Sequence, residues 1–141
     1  MPEVSEWNER VVAEFRANRG QVGGGYAGYL MILVHNVGAR SGRNRINPLV
    51  YQAVGKNFAI FASKRGATRH PDWYYNLLAN PRTTVEVGTE TGTETIEVRA
   101  RETEGVERSR IWAAQKAAMP VFREYEAVAE RVIPVLLLER V

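Results

Sequence analysis

Residues 29–64 read "YLMILVHNVGARSGRNRINPLVYQAVGKNFAIFASK". Three apolar runs rich in β-branched and aromatic side chains, "YLMILVHNVG", "RINPLVYQAV" and "NFAIFASK", are separated only by the polar breaks "ARSGRN" and "GKN". Breaks this short can join antiparallel neighbours, whereas a parallel crossover needs about a dozen residues or more. The stretch therefore predicts a meander of three strands.

Upstream, Val4, Trp7, Val11, Val12, Ala13 and Phe15 fall near helical spacing, with Ser5 as a cap, so residues 1–18 predict an amphipathic helix. The glycine-rich "GQVGGGYAG" after it precedes a strand. That is the reverse of the strand-loop-helix order that aims helix amides at a phosphate, so it reads as a connector. Downstream, "HPDWYYNLLANP" has proline at a helix start and a second proline just past its end. "TTVEVGTETGTETIEVRARE" alternates around Gly92 and predicts a hairpin with one wet face. Helical stretches near 104–118 and 120–132 and a last strand, "VLLLER", complete the chain. The pattern predicts an α+β barrel or half-barrel of about six mostly antiparallel strands, with helices at the N-terminus, after strand three and near the C-terminus. A doubly wound nucleotide fold is disfavoured.

At 141 residues the chain is expected to form a single domain spanning 1–141. It has no cysteine, which excludes disulfides, thiolate metal sites and a cysteine nucleophile. His35 and His70 lack ligand spacing, so no metal is expected; His35, inside an apolar strand, reads as a satisfied core or edge residue. No run approaches the roughly 20 apolar residues of a membrane span, and "MPEVSEWNERVVAEF" is too charged for a secretory signal. A cytoplasmic protein is expected.

The formal net charge is only +3, but its distribution is uneven. Between Glu14 and Asp72 there is no acid, while the same stretch carries Arg16, Arg19, Arg40, Arg43, Arg45, Lys56, Lys64, Arg65 and Arg69. Arginine's planar fork suits bidentate contact with phosphate or carboxylate. The segment looks like one wall of an anion site, which could face nucleic acid, an anionic membrane or a phosphorylated small molecule. Nucleic acid is disfavoured, because no recognition helix or aromatic-interleaved basic motif accompanies the arginines.

Taken in order, "GARSGRNRINPLVY", "FASKRG", "HPDWYYNLLANP" and "REYEAVAERVIPV" resemble the deazaflavin-dependent nitroreductase family over about residues 28–138. Members of that family are reductases that use coenzyme F420 on a split β-barrel. The resemblance implies a cofactor with a deazaflavin ring at one end and a phospholactyl group with a glutamate tail at the other. It needs an apolar slot beside a cationic trough. Matched by position, Arg40, Ser41 and Arg45 are implied to contact the phosphate or tail, with Arg43 at the exposed turn. Asn47, Pro48 and Val50 would edge the ring, Ala62, Ser63 and Lys64 would line its polar rim, and Trp73 with Asn76 would close the slot. Each has a plainer reading: Pro48 as the mark of an edge strand, Trp73 as core, Lys64 and Arg65 as loop charges. Asn47 is harder to explain away, because a buried amide without partners is costly.

The implied reaction transfers a hydride from the reduced deazaflavin to a flat hydrophobic conjugated acceptor, such as an enone, lactone, quinone or nitroaromatic. Tyr125 is the candidate proton donor. Met119 and Phe122 occupy positions that are phenolic in other members, which implies a more apolar substrate pocket formed by Met119, Phe122, Tyr125 and Trp7. The alternatives are an FMN-binding split-barrel oxidoreductase and a non-catalytic cofactor or lipid carrier docked on the inner membrane face through the N-terminal helix. A homodimer is compatible with all of these.

Overall fold

The computed structural model describes residues 2–141, with side chains from residue 6 onward. Its elements are α1 (Pro2–Ala17), β1 (Met31–Val37), β2 (Asn44–Val50), β3 (Gln52–Val54), β4 (Asn57–Phe61), α2 (Asp72–Ala79), β5 (Arg82–Gly88), β6 (Thr93–Glu102), α3 (Gly105–Ala118), α4 (Val121–Ala129) and β7 (Val135–Arg140). The side chains of Val4 and Ser5, expected as a face residue and a cap, lie outside the described residues.

The strands form one sheet in the order β2-β1-β5-β6-β7-β4-β3, and every pairing is antiparallel. The expected meander and the count of six are corrected here. "RINPLVYQAV" is two strands, β2 and β3, which lie at opposite edges of the sheet although only Tyr51 separates them. Such edges can meet only if the sheet curls round on itself, which makes the split barrel. The corner is held where Tyr51 N–H donates to the Leu30 carbonyl at 3.1 Å. Pro48 sits on edge strand β2, where its missing N–H leaves no ladder bond unmade.

The near-continuous apolar strands follow from burial on both faces. Ile32, Val34, Phe58, Ile60, Val85, Val98, Leu136 and Leu138 fill the barrel with Trp73 and Leu77 of α2. The alternate residues Ala59, Phe61, Val135 and Leu137 face outward beneath α3 and α4, and Met31 and Leu33 face α1.

α1 is pinned by an ion cluster around one buried carboxylate. Glu86 on β5 is 6 % exposed and accepts both Arg16 Nε (2.9 Å) and Nη2 (2.7 Å), while its Oε2 lies 2.6 Å from His35 Nε2. This is the satisfied histidine expected from sequence. The Arg16 hydrogen bonds hold the Glu86 carboxyl below its ordinary value against the opposing effect of burial. A depressed carboxyl contributes stability that is complete above the unperturbed pKa of 4.5 and is lost as pH falls through the lower folded value. Glu86→Gln is therefore expected to cost about 2 kcal/mol at neutral pH and to remove this acid-dependent increment. Denaturant melts at neutral and acid pH measure both effects.

Candidate functional site

The "ARSGRN" break forms a tight loop in which Gly38 N–H donates to the Arg43 carbonyl and Gly42 N–H to the Gly38 carbonyl, both at 2.9 Å. A Cβ on Gly38 would lie 2.4 Å from Ser41 Oγ, so a side chain there would turn the Ser41 hydroxyl away from the loop. A chain of amides beneath fixes the loop. Asn36 Nδ2 donates to Asn47 Oδ1, Asn76 Nδ2 donates to Asn36 Oδ1, and Ala39 N–H donates to Asn76 Oδ1, each at 2.9 Å. β2, β1, α2 and the loop are thus tied through one polar thread, with Asn36 only 3 % and Asn76 only 5 % exposed.

Above the thread opens a cleft of about 550 Å³ lined by Arg40, Ser41, Arg45, Arg69, Asp72, Tyr75 and Asn76. Arg40, Arg45 and Arg69 are exposed. Asp72 is the only carboxylate in the lining and lies 4.0 Å from Arg45, so it offsets little of the positive charge. This donor set suits a phosphate or carboxylate ligand. Arg40, Ser41, Arg45 and Asn76 come together as expected from sequence, Asn47 joins through Asn36, and Arg69 and Tyr75 are additions.

Outside the lining of this cleft, the residues after β4 form a strained turn. Ala62 is fully buried and Ser63 is 8 % exposed, and they lead into Lys64 (φ 45°), Arg65 (φ 54°) and Gly66 (φ 86°), consecutive residues in the left-handed region. Non-glycine residues there carry strain that the surroundings must enforce. Helix α4 enforces it from one side, since a Cβ on Gly66 would lie 2.4 Å from Val128 Cγ2 and 3.2 Å from Tyr125 Cα. Arg131 enforces it from below, donating from Nε to the Ala67 carbonyl (2.9 Å) and from Nη2 to the carbonyls of Ala62 (3.1 Å) and Ser63 (3.0 Å). Its Nη1 lies 2.7 Å from His70 Nδ1. Burial, and then the Arg131 charge, pull the His70 pKa down, so the ring is held neutral and accepts from the guanidinium.

The remaining sequence candidates separate. Trp73 is 6 % exposed in the barrel core and is absent from the cleft lining, because α2 turns Trp73, Tyr74 and Leu77 inward. Val50 packs on the two outer clusters. Met119 (8 %) and Phe122 (5 %) lie with Phe61 and Trp112 under α3 and α4, so they are packing residues rather than an open pocket wall. Tyr125, half-buried, has its ring 5.3 Å from Phe122. Trp7, 38 % exposed, contacts not these residues but Tyr26 of the glycine-rich connector, at 6.0 Å between ring centroids. Sequence reasoning missed Asn36 and Arg131. A polar residue inside an otherwise buried strand and an arginine followed by the apolar "VIPV" were the signals available.

A family model described as F420H(2)-dependent quinone reductase matches residues 7–140. An F420H(2)-dependent quinone reductase of Mycobacterium tuberculosis is 30 % identical over 98 % of this chain and 99 % of its own length. The solved structure of an F420-H2 dependent reductase is 36 % identical, with a TM-score of 0.68 over 77 % of this chain and 93 % of that one. A second solved structure, described as a domain-swapped dimer, is 34 % identical with a TM-score of 0.68 over 98 % of both chains. With nearly all of its length matched on a split barrel that carries a cationic cleft, the chain belongs to the F420H(2)-dependent quinone reductase family.

Proposed function

We propose that this protein reduces flat, conjugated acceptors of the quinone type, using coenzyme F420. The observation that carries this reading is the cleft in which Arg40, Arg45 and Arg69 converge with a single carboxylate. Reduced coenzyme F420, when bound, supplies the hydride. The chain supplies position and charge. Arg40, Arg45, Arg69 and Ser41 would neutralise the phosphate and the glutamate tail, Asn47 and the turn at Ser63 and Lys64 would meet the ring, and Asn36 and Arg131 would hold the loop and the turn still. Tyr125 is the candidate phenol for the proton that follows the hydride; unchanged turnover in Tyr125→Phe would assign that proton to solvent.

The reading is tested by fluorescence titration with oxidised coenzyme F420 beside FMN, at low and high salt. Saturable F420 binding that weakens with salt is expected, and Arg45→Ala should weaken it about tenfold, the loss of one charge-assisted contact. Preference for FMN would overturn the assignment.

The exposed Trp7 and the domain-swapped relative leave α1 two further roles, contact with a membrane surface or with a second copy. Among the described residues, no helix is long and apolar enough to cross a membrane. Light scattering and vesicle sedimentation separate the two.

A further inference from the structure

Among the cations of the acid-free segment, Arg65 is the one whose guanidinium bonds a phenol. It is held at φ 54°, ψ 31°, immediately after Lys64 at φ 45°. Glycine would occupy these positions without strain, so a long cationic side chain here is kept against the local backbone preference. Among the described residues, no carboxylate lies within ion-pair distance of its guanidinium. It reaches instead to a phenol, with Nη2 donating to the Tyr26 hydroxyl at 3.4 Å. Tyr26 comes from the glycine-rich connector, which sequence alone leaves without a task, and its other side meets Trp7. On the far side of the turn, the backbone of Tyr125 packs on Gly66. The solvent-facing guanidinium thus reaches Tyr26, which in turn meets Trp7, from a turn that packs on the backbone of Tyr125.

Reduction of a quinone or nitrophenol-like acceptor needs a group of this kind. A quinone takes up a hydride, supplied by the reduced cofactor, and one proton; between the two events an acceptor oxygen carries negative charge. A guanidinium stabilises that oxyanion by charge and a forked pair of donors, a phenol donates a further hydrogen bond, and flat aromatic rings accommodate a flat acceptor. We propose that Arg65 and Tyr26 form the oxyanion-binding pair of the acceptor site, with Trp7 and Tyr125 as its aromatic walls. The assignment rests on the reductase reading above and adds to it the site's selection for acceptors that become aromatic oxyanions. The electrostatics agree: the hydrogen bond with Tyr26 favours the charged form of the Arg65 guanidinium.

The test reads binding, not turnover. 4-Nitrophenol changes colour on ionisation and mimics such an acceptor in its anionic form. Added to the full-length protein, it is expected to ionise at lower pH when bound, with about a tenfold preference for the anion, as an opposite charge within contact distance produces. Arg65→Gly should abolish that preference and Tyr26→Phe should reduce it, while Arg45→Ala should leave it intact. Arg65→Gly is a safe variant for folding, since glycine suits φ 54°, and it should melt no lower than the parent. No binding of the dye, no shift on binding, or a shift that persists in Arg65→Gly would overturn the proposal. Titrating coenzyme F420 into the same samples separates this failure from that of the broader reading: F420 bound without a dye shift sinks the oxyanion pair alone, and F420 unbound sinks the reductase assignment beneath it.

Discussion

Arg131→Met is expected to cost about 4 kcal/mol of stability and to abolish binding of coenzyme F420. The guanidinium donates to the carbonyls of Ala62, Ser63 and Ala67, bracketing the left-handed turn from both ends, and also to His70 Nδ1. Hydrogen bonds from a charged donor contribute about 1.5–3 kcal/mol each, and part of that returns when water reaches the freed carbonyls. What the turn then lacks is the constraint that keeps Lys64 and Arg65 at positive φ. Relaxation of the turn would move the polar rim intended for the ring. Arg131→Lys should restore only part of the loss, because a single ammonium cannot span both ends of the turn as a fork does. The clamp also carries a pH signature. The His70 pKa is depressed below 6.5, so its contribution is complete above that pH and is lost as pH falls through the lower folded value, when a second cation forms against the guanidinium. Urea melts of parent and variant across this range measure it: the parent should weaken on the acid side, and Arg131→Met should retain only the part of that component due to burial of His70. A variant that loses stability yet binds F420 normally would reduce Arg131 to a structural residue.

The strands and helices were legible because each has a one- or two-sided apolar pattern that follows from what covers it. "VLLL" and "FAIF" read as strands without alternation because helices cover one face while the barrel interior lies on the other. The break at Tyr51 was not legible. No glycine, bulge or charge marks it, and the chain changes partner there only because β2 and β3 must meet different edges of a curled sheet. The cationic wall was visible as a stretch without acids, and Arg40, Ser41, Arg45 and Asn76 do share a cleft. Aromatic residues were less informative. Trp73, Met119 and Phe122 have the composition of a pocket wall, yet burial assigns them to cores, since the same apolar surface serves either purpose and only topology decides between them. Arg131 was hidden by distance: it lies more than sixty residues along the chain from the carbonyls it clamps.

Asn36→Leu is expected to lose about 3 kcal/mol and to weaken coenzyme F420 binding about tenfold, although Asn36 is not itself in the cleft lining. Its amide is the middle of the thread that runs from Asn47 through Asn76 to the Ala39 N–H. Leucine matches it in size and removes both a donor and an acceptor, so the deficit comes from the partners left behind. Asn76 Nδ2, in a residue 5 % exposed, loses its acceptor and has little access to water in exchange. Once Asn76 can turn, the Ala39 N–H loses its acceptor too, and the loop carrying Arg40 and Ser41 is released at its base. The amide hydrogen of Ala39 gives the specific readout. Its exchange should accelerate in Asn36→Leu while the barrel amides of β5 and β6 stay protected. Asn36→Asp offers the discriminating case, because a carboxylate still accepts from Asn76 but cannot donate to Asn47 Oδ1. If the thread works by holding the loop, Asn36→Asp should keep Ala39 protected and F420 bound while losing stability at the β2 end alone. Equal loss of binding in both variants would mean that the pairing with Asn47, and not the hold on the loop, is what the cofactor site depends on.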